Sequence, residues 1–222
     1  MSSKQRRYGV TLAISAPSSN YGPILITDID VEPGADTVVL DIDNLPRHAS
    51  AFVQLSNINK QFPDVRTLVF GGQVTSAEIS NYMFPNVTNI VVQKQPPRYQ
   101  RKMLVGRNGC LLMAIKNGNS IEYMLLNTFC KKPGEEIDLT GVYSIKDYAF
   151  EGCMSTNIIN TDGITHLSRK SFTNSAFQFG GSFTNGVKCV NGMIVDIDTT
   201  VKEIQFKENT GFTSSPNSIF NS

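Results

Sequence analysis

Apolar and polar positions along this chain fall into blocks that return at a fixed distance. Val142, Ile145, Ala149 and Phe150 reappear 22 positions later as Ile164, Leu167, Ser171 and Phe172. In the first half, Phe62, Pro63, Val65, Leu68 and Phe70 reappear at the same spacing of 22 as Phe84, Pro85, Val87, Ile90 and Val92. A short exact period predicts a solenoid, in which one unit cannot bury its apolar face alone and its neighbour completes it. Alternate residues of a strand share a face. If Val65, Leu68 and Phe70 point inward, Thr67 and Val69 point outward, stacked beside Asn89 and Val91 of the next unit. The same reading of residues 136–139 puts Ile137 and Leu139 inside and Asp138 outside, with Ile159 and Thr161 in the inward places of the following copy. Thr161 needs a partner for its hydroxyl if it is buried, which makes that copy the weaker one.

Other stretches add elements to this frame. Further strands are expected at residues 10–14, 24–31 and 37–42, the last out of frame with the period, and around Val201, Ile204 and Phe206. Residues 103–115 and 189–197 each place a glycine-containing turn between apolar runs and read as hairpins. In residues 44–62, Ala51, Phe52, Leu55 and Ile58 lie near helical spacing behind Asn44 or Ser50 as a cap, the best helix in the chain. Residues 73–83 suggest a turn or two of helix begun by Thr75 or Ser76. The run QKQPPRYQRK at residues 93–102 has two prolines among cations and amides and reads as an exposed extended link. The expected division is a cap at 1–35, a divergent repeat array at 36–98 and a second array with hairpins at 99–222.

Around IKDYAFEGC the sequence resembles the BspA-type leucine-rich repeat, whose unit has the form V-x-x-I-x-x-x-A-F-x-x-C followed by a strand. Val142, Ile145, Ala149, Phe150 and Cys153 occupy those places. The next copy keeps Ile164, Leu167 and Phe172 and has Ser171 for Ala and Ser175 for Cys. The close match covers residues 136–176; the N-terminal half matches more loosely. The fold expected is a right-handed leucine-rich-repeat solenoid of the α/β superhelix type, β-rich with short helical segments and hairpin insertions. The resemblance implies a surface-exposed or secreted protein that binds host or bacterial proteins.

Composition narrows the partners. The formal net charge is +1 and only 18% of residues are charged, so neither a broad nucleic-acid footprint nor a polybasic membrane contact is expected. No stretch approaches membrane-spanning length. The first fifteen residues, MSSKQRRYGVTLAIS, are too interrupted for a secretory signal, which leaves a cytoplasmic location open beside the surface one. The polar end, ENTGFTSSPNSIFNS, lacks a clear cap, so the array is either truncated or closed by this tail folding back.

Candidate chemistry is sparse. Cys110, Cys130, Cys153 and Cys189 form no C-x-x-C, and His48 and His166 are the only histidines, so no zinc site is expected. Cys153 is expected as a buried thiol, Cys110 and Cys189 nearer the surface with a disulfide between them left open. Asp28 with Asp30, Asp41 with Asp43 and Asp196 with Asp198 form three Asp-Ile-Asp triplets. Strands with isoleucine inward and acids outward give these letters; paired carboxylates for a metal or for hydrolysis are the alternative. Nucleophile, phosphate-loop, dinucleotide and zinc-protease motifs are absent. Asn86, Val87 and Thr88 form a single glycosylation-like triplet. No cofactor is expected. The leading expectation is a non-enzymatic protein-binding face made of Thr67, Val69, Asn89 and Val91, extended by Asp138, Ile158, Asn160, Glu203 and Gln205. A structural spacer in a larger surface protein is the third reading.

Overall fold

The computed structural model describes residues 2–16, 22–46, 49–56, 58–129 and 131–202. The chain rises as a β-solenoid of about six turns with a period of about 23 residues and almost no helix. It begins with β1 (Ser2–Arg7), β2 (Val10–Ser15) and β3 (Ile24–Val31), paired antiparallel. Next come β4 (Thr37–Leu40), β5 (Ala51–Leu55), β6 (Thr67–Phe70), β7 (Val74–Ile79) and β8 (Asn89–Val92). These strands alternate between two parallel stacks, β3, β5 and β7 on one side and β4, β6 and β8 on the other. The inward side chains of both stacks, among them Val38, Leu40, Leu68 and Phe70 against Val53, Leu55, Val74 and Ile79, are buried in one core.

An antiparallel meander, β9 (Arg101–Val105), β10 (Leu111–Asn117) and β11 (Ser120–Asn127), then interrupts the climb. Parallel coiling resumes with β12 (Ile137–Asp138), β13 (Val142–Ile145), β14 (Ile158–Ile159) and β15 (His166–Leu167). Here β11, β13 and β15 stack, as do β12 and β14. A four-residue helix, α1 (Ala176–Phe179), precedes the hairpin of β16 (Val187–Val190) and β17 (Met193–Ile197).

The spacing of 22 holds where it matters most. Thr67 pairs with Asn89 and Phe70 with Val92 across β6 and β8, and Ile145 pairs with Leu167 across β13 and β15. Phe150 and Phe172 lie one on the other with ring centroids 4.6 Å apart. Both expected hairpins form, and the first is more than an insertion. Alternate side chains of β10 point to opposite sides, so Leu111 and Met113 belong to the first core while Leu112, with Cys110 before the strand, belongs to the second. Leu126 and Leu125 of β11 divide in the same way. The meander is a wall with a core on each side.

Three expectations are corrected. The described residues of 44–62 hold no helix: Ala51, Val53 and Leu55 of β5 point inward at a spacing of two and are fully buried, and stacking against β3 and β7 decides for the strand. Residues 73–83 hold β7 and a single 3-10 turn at Asn81–Met83. Ala51 pairs with Val74 but Phe52 with Ser76, so a bulge spreads the inward residues Val74 and Ala77 to a helix-like spacing. Finally, Ile137 pairs with Ile158 and Asp138 with Ile159, a step of 21, so Ile158 rather than Ile159 is the inward residue. The missing position returns before Ser144 pairs with His166, across the stretch where Asn160 takes a left-handed φ of 59°.

Close stacking also fixes Gly71. A Cβ there would lie 1.9 Å from the Asp41 carboxylate of the coil below, which itself accepts the Ile42 N–H at 3.0 Å. Gly71→Ala is expected to cost about 1 to 3 kcal/mol by overpacking. Chemical denaturation checks this, and adding Asp41→Ala is expected to restore only part of the loss, because it removes the carboxylate at 1.9 Å but leaves the Asp41 Cβ at 2.6 Å.

Candidate functional site

Pairing of β4 with β6 and of β6 with β8 is continuous, so the outward residues form straight rows. Val39, Val69 and Val91 make one row and Thr37, Thr67 and Asn89 another, each step being about 4.8 Å. Val91 is 39% exposed, while Val39 and Val69 are half-buried. β-branched residues suit a pleated surface, but three stacked valines facing out do not serve the core. Beside Val39 a shallow depression of about 400 Å³ is lined by Tyr8, Ala35, Asp36 and Thr37. The Tyr8 ring is exposed and carries the Arg7 guanidinium carbon 4.9 Å from its centroid. Arg7 is anchored in turn by Asp43 at 2.7 Å and Asp41 at 3.8 Å.

Thr67, Val69, Asn89 and Val91 are therefore brought together as expected, and Thr37, Val39 and Tyr8 join them. The sequence signal for the added strand was present in TVVL, but its step to β6 is 30 residues. Asn160 is exposed in the second half. Ile158 leaves the surface set: it is 5% exposed, inside the core beneath Ile137, and Ile159 takes the outward place beside Asp138. Glu203 and Gln205 lie outside the described residues, as do His48, Cys130, Ile204 and Phe206.

Asp138 is a turn staple more than a free acid, for its side chain is only 7% exposed. Its Oδ1 accepts from Asn160 Nδ2 at 2.9 Å, from Thr140 Oγ1 at 2.6 Å and from the Thr140 N–H at 2.9 Å, and Arg107 stands 3.7 Å from Oδ2. Bonds from Asn160 and Thr140 hold its carboxyl down to about 2. A lowered folded-state value adds stability above the ordinary carboxylate range near pH 3.9, and that contribution drains away as pH falls towards about 2. Asn160→Ala is expected to raise the Asp138 carboxyl toward its ordinary value and to move this acid limb to higher pH. NMR titration of the carboxyl carbon, with stability measured across the same range, checks both.

The three acid pairs stay apart, and two of them are answered by cations from elsewhere in the chain. Lys60 Nζ sits 2.8 Å from Asp28 and 2.7 Å from Asp30 and also donates to the Ile29 carbonyl at 3.1 Å. Burial pushes the Asp28 carboxyl up, but bonds from Lys60 and the Ile29 N–H outweigh it and leave it below its ordinary value. Asp41 and Asp43 are held by Arg7, with Asp41 raised by burial. Asp198 accepts from the N–H and hydroxyl of Thr200 in a turn. Among the described residues no group of three or more His, Cys, Asp or Glu side chains is placed to hold a metal ion.

Cys153 is a buried free thiol. Cys110, expected nearer the surface, is also buried, because it faces the second core; burial pushes its thiol up to about 11. Cys189 is free and exposed. His166 faces solvent with its ring edge-on to Tyr143 and Nδ1 2.8 Å from Thr165 Oγ1. Among the described residues no helix is long and apolar enough to cross a membrane.

A family model described as the BspA type leucine rich repeat region matches the chain in six copies, over residues 60–178 and 124–222. No curated protein and no solved structure matches it.

Proposed function

Because the chain belongs to the BspA-type leucine-rich-repeat family, we propose that it is a non-enzymatic protein-binding module whose docking face is the outward side of β4, β6 and β8. The observation that carries this reading is the row of Val39, Val69 and Val91, apolar, in register and turned away from the core. Apolar area framed by Thr37, Thr67 and Asn89 is the composition of a contact surface, with a dry centre and a polar rim. The Tyr8 ring at one end supplies the kind of large amphipathic side chain that concentrates binding energy. Exposed Asn160, and Ile159 in place of Ile158, extend the face in the second half. An adhesin-like protein of a cell surface is the form of this reading that fits the family best.

Val69→Glu with Val91→Glu puts two charges into the centre of the face without touching the core. The double variant is expected to fold as the wild type does by circular dichroism. Capture from extracellular matrix and from bacterial lysate is expected to return partners with the wild type that the double variant loses. Equal recovery by the two proteins would remove this face from consideration.

A further inference from the structure

The basic stretch at residues 93–102 is left unused by the face on β4, β6 and β8, yet it is built into the molecule. Tyr99 donates its hydroxyl to the Ala49 carbonyl at 2.6 Å, and Gln95 donates its amide to the Val74 carbonyl. These bonds tie the segment to the β7 edge and to the loop before β5, in the other stack. A groove of about 540 Å³ opens there. The half-buried Phe52 gives it an apolar floor and residues 75–78 of β7 form one wall.

Arg98, Arg101 and Lys146 stand around this groove, all three exposed. Among the described residues none of them has an ion pair. The Arg98 guanidinium is steadied over the Tyr99 ring at 5.0 Å. Glu78 is the one acid among the described residues of the lining, and its carboxylate accepts the Ser56 hydroxyl. Three cations against one acid is a local excess in a chain whose formal net charge is only +1, so the charge is gathered at this place.

We propose that this groove binds an acidic, extended segment of a partner protein. Carboxylates of the segment meet Arg98, Arg101 and Lys146, and a side chain between them lies on Phe52. Four wall residues at about 3.3 Å each match roughly three to four residues of extended peptide. Glu78 disfavours an unbroken polyanion such as a nucleic acid strand, whose phosphates would pass it at close range, and leaves an acceptor for a peptide N–H. The groove and the valine row lie on the outer sides of different sheets, so this site goes beyond the docking face proposed above and stands or falls separately.

Fluorescence anisotropy of a dye-labelled peptide alternating Glu and Leu tests it on the full chain. The Gln counterpart of that peptide and an oligothymidylate serve as comparisons. The Glu peptide is expected to bind at least roughly tenfold tighter than the Gln peptide, and to weaken with salt. Arg98→Ala with Arg101→Ala, both exposed and outside the core, is expected to weaken it roughly tenfold or more and to flatten the salt dependence. Val69→Glu with Val91→Glu is expected to change nothing. Equal binding of Glu and Gln peptides, no binding of either, or retention by the arginine variant would overturn the proposal. Tighter binding of oligothymidylate would replace the peptide by a polyanion, and loss in the valine variant alone would move the peptide to the other face.

Discussion

Phe150→Ala is expected to destabilise the protein by about 3 to 5 kcal/mol, the range for emptying an aromatic site in a packed interior. Phe150 is fully buried, lies 4.6 Å from the ring of Phe172 and meets Phe177 edge-on at 5.5 Å. One substitution therefore opens a cavity shared by two consecutive coils and the turn that closes them. In a stacked array each coil is supported by its neighbours, so the loss extends beyond one repeat. Urea denaturation followed by circular dichroism measures it. Phe179→Ala in α1, which also holds Phe177, serves as the control: that ring is 73% exposed, and a change within about 0.5 kcal/mol is expected.

Asn127→Leu is expected to cost about 2 to 6 kcal/mol, from two buried backbone groups left without partners at about 1 to 3 kcal/mol each. The parallel stack of β3, β5 and β7 ends at β7, and the next stack begins at the meander. At this seam Asn127, itself buried, donates to the Ile79 carbonyl at 2.9 Å and accepts the Phe129 N–H at 2.6 Å. Gln95 does the same at the other end of the β7 edge, donating to Val74 and accepting the Met103 N–H at 2.7 Å. Two side-chain amides thus stand in for the strand that is missing. Gln95 is only half-buried, so water can replace it and Gln95→Leu is expected to cost less, about 0.5 to 1.5 kcal/mol. Denaturation of the two variants in parallel checks the order; an equal or reversed order would show that the seam is held by something else.

Much of this architecture was legible because the repeat is written in large apolar side chains. Phe150 and Phe172, and Val65 and Val87, sit at the same place in successive coils and declare their stacking by their spacing. The period of two in β5 was equally present in Ala51, Val53 and Leu55, but Phe52 and Ile58 overlay it with a helical spacing, and a five-residue strand offers too few turns of pattern to separate them. Ile158 and Ile159 are adjacent and alike, so nothing local says which faces in. The pairing of Ile158 with the inward Ile137 decides it, and only the structure shows that pairing. The Lys60 bridge to Asp28 and Asp30 and the two amides at the seam join residues far apart in the chain, and no periodic pattern encodes such contacts.

The row of outward valines rests on β8 lying beside β6 with Val91 opposite Val69, and a disulfide reads that register directly. With Val69→Cys and Val91→Cys, the two Cα atoms stand about 4.8 Å apart, inside the roughly 4.4 to 6.8 Å that a disulfide spans. Mild oxidation followed by peptide mapping is expected to find the 69–91 link within one chain, and no link when the second cysteine is placed at Ile90, whose side chain points to the core. A link from position 69 to position 90, or none to position 91, would contradict the stacking of these coils and the docking face built on it.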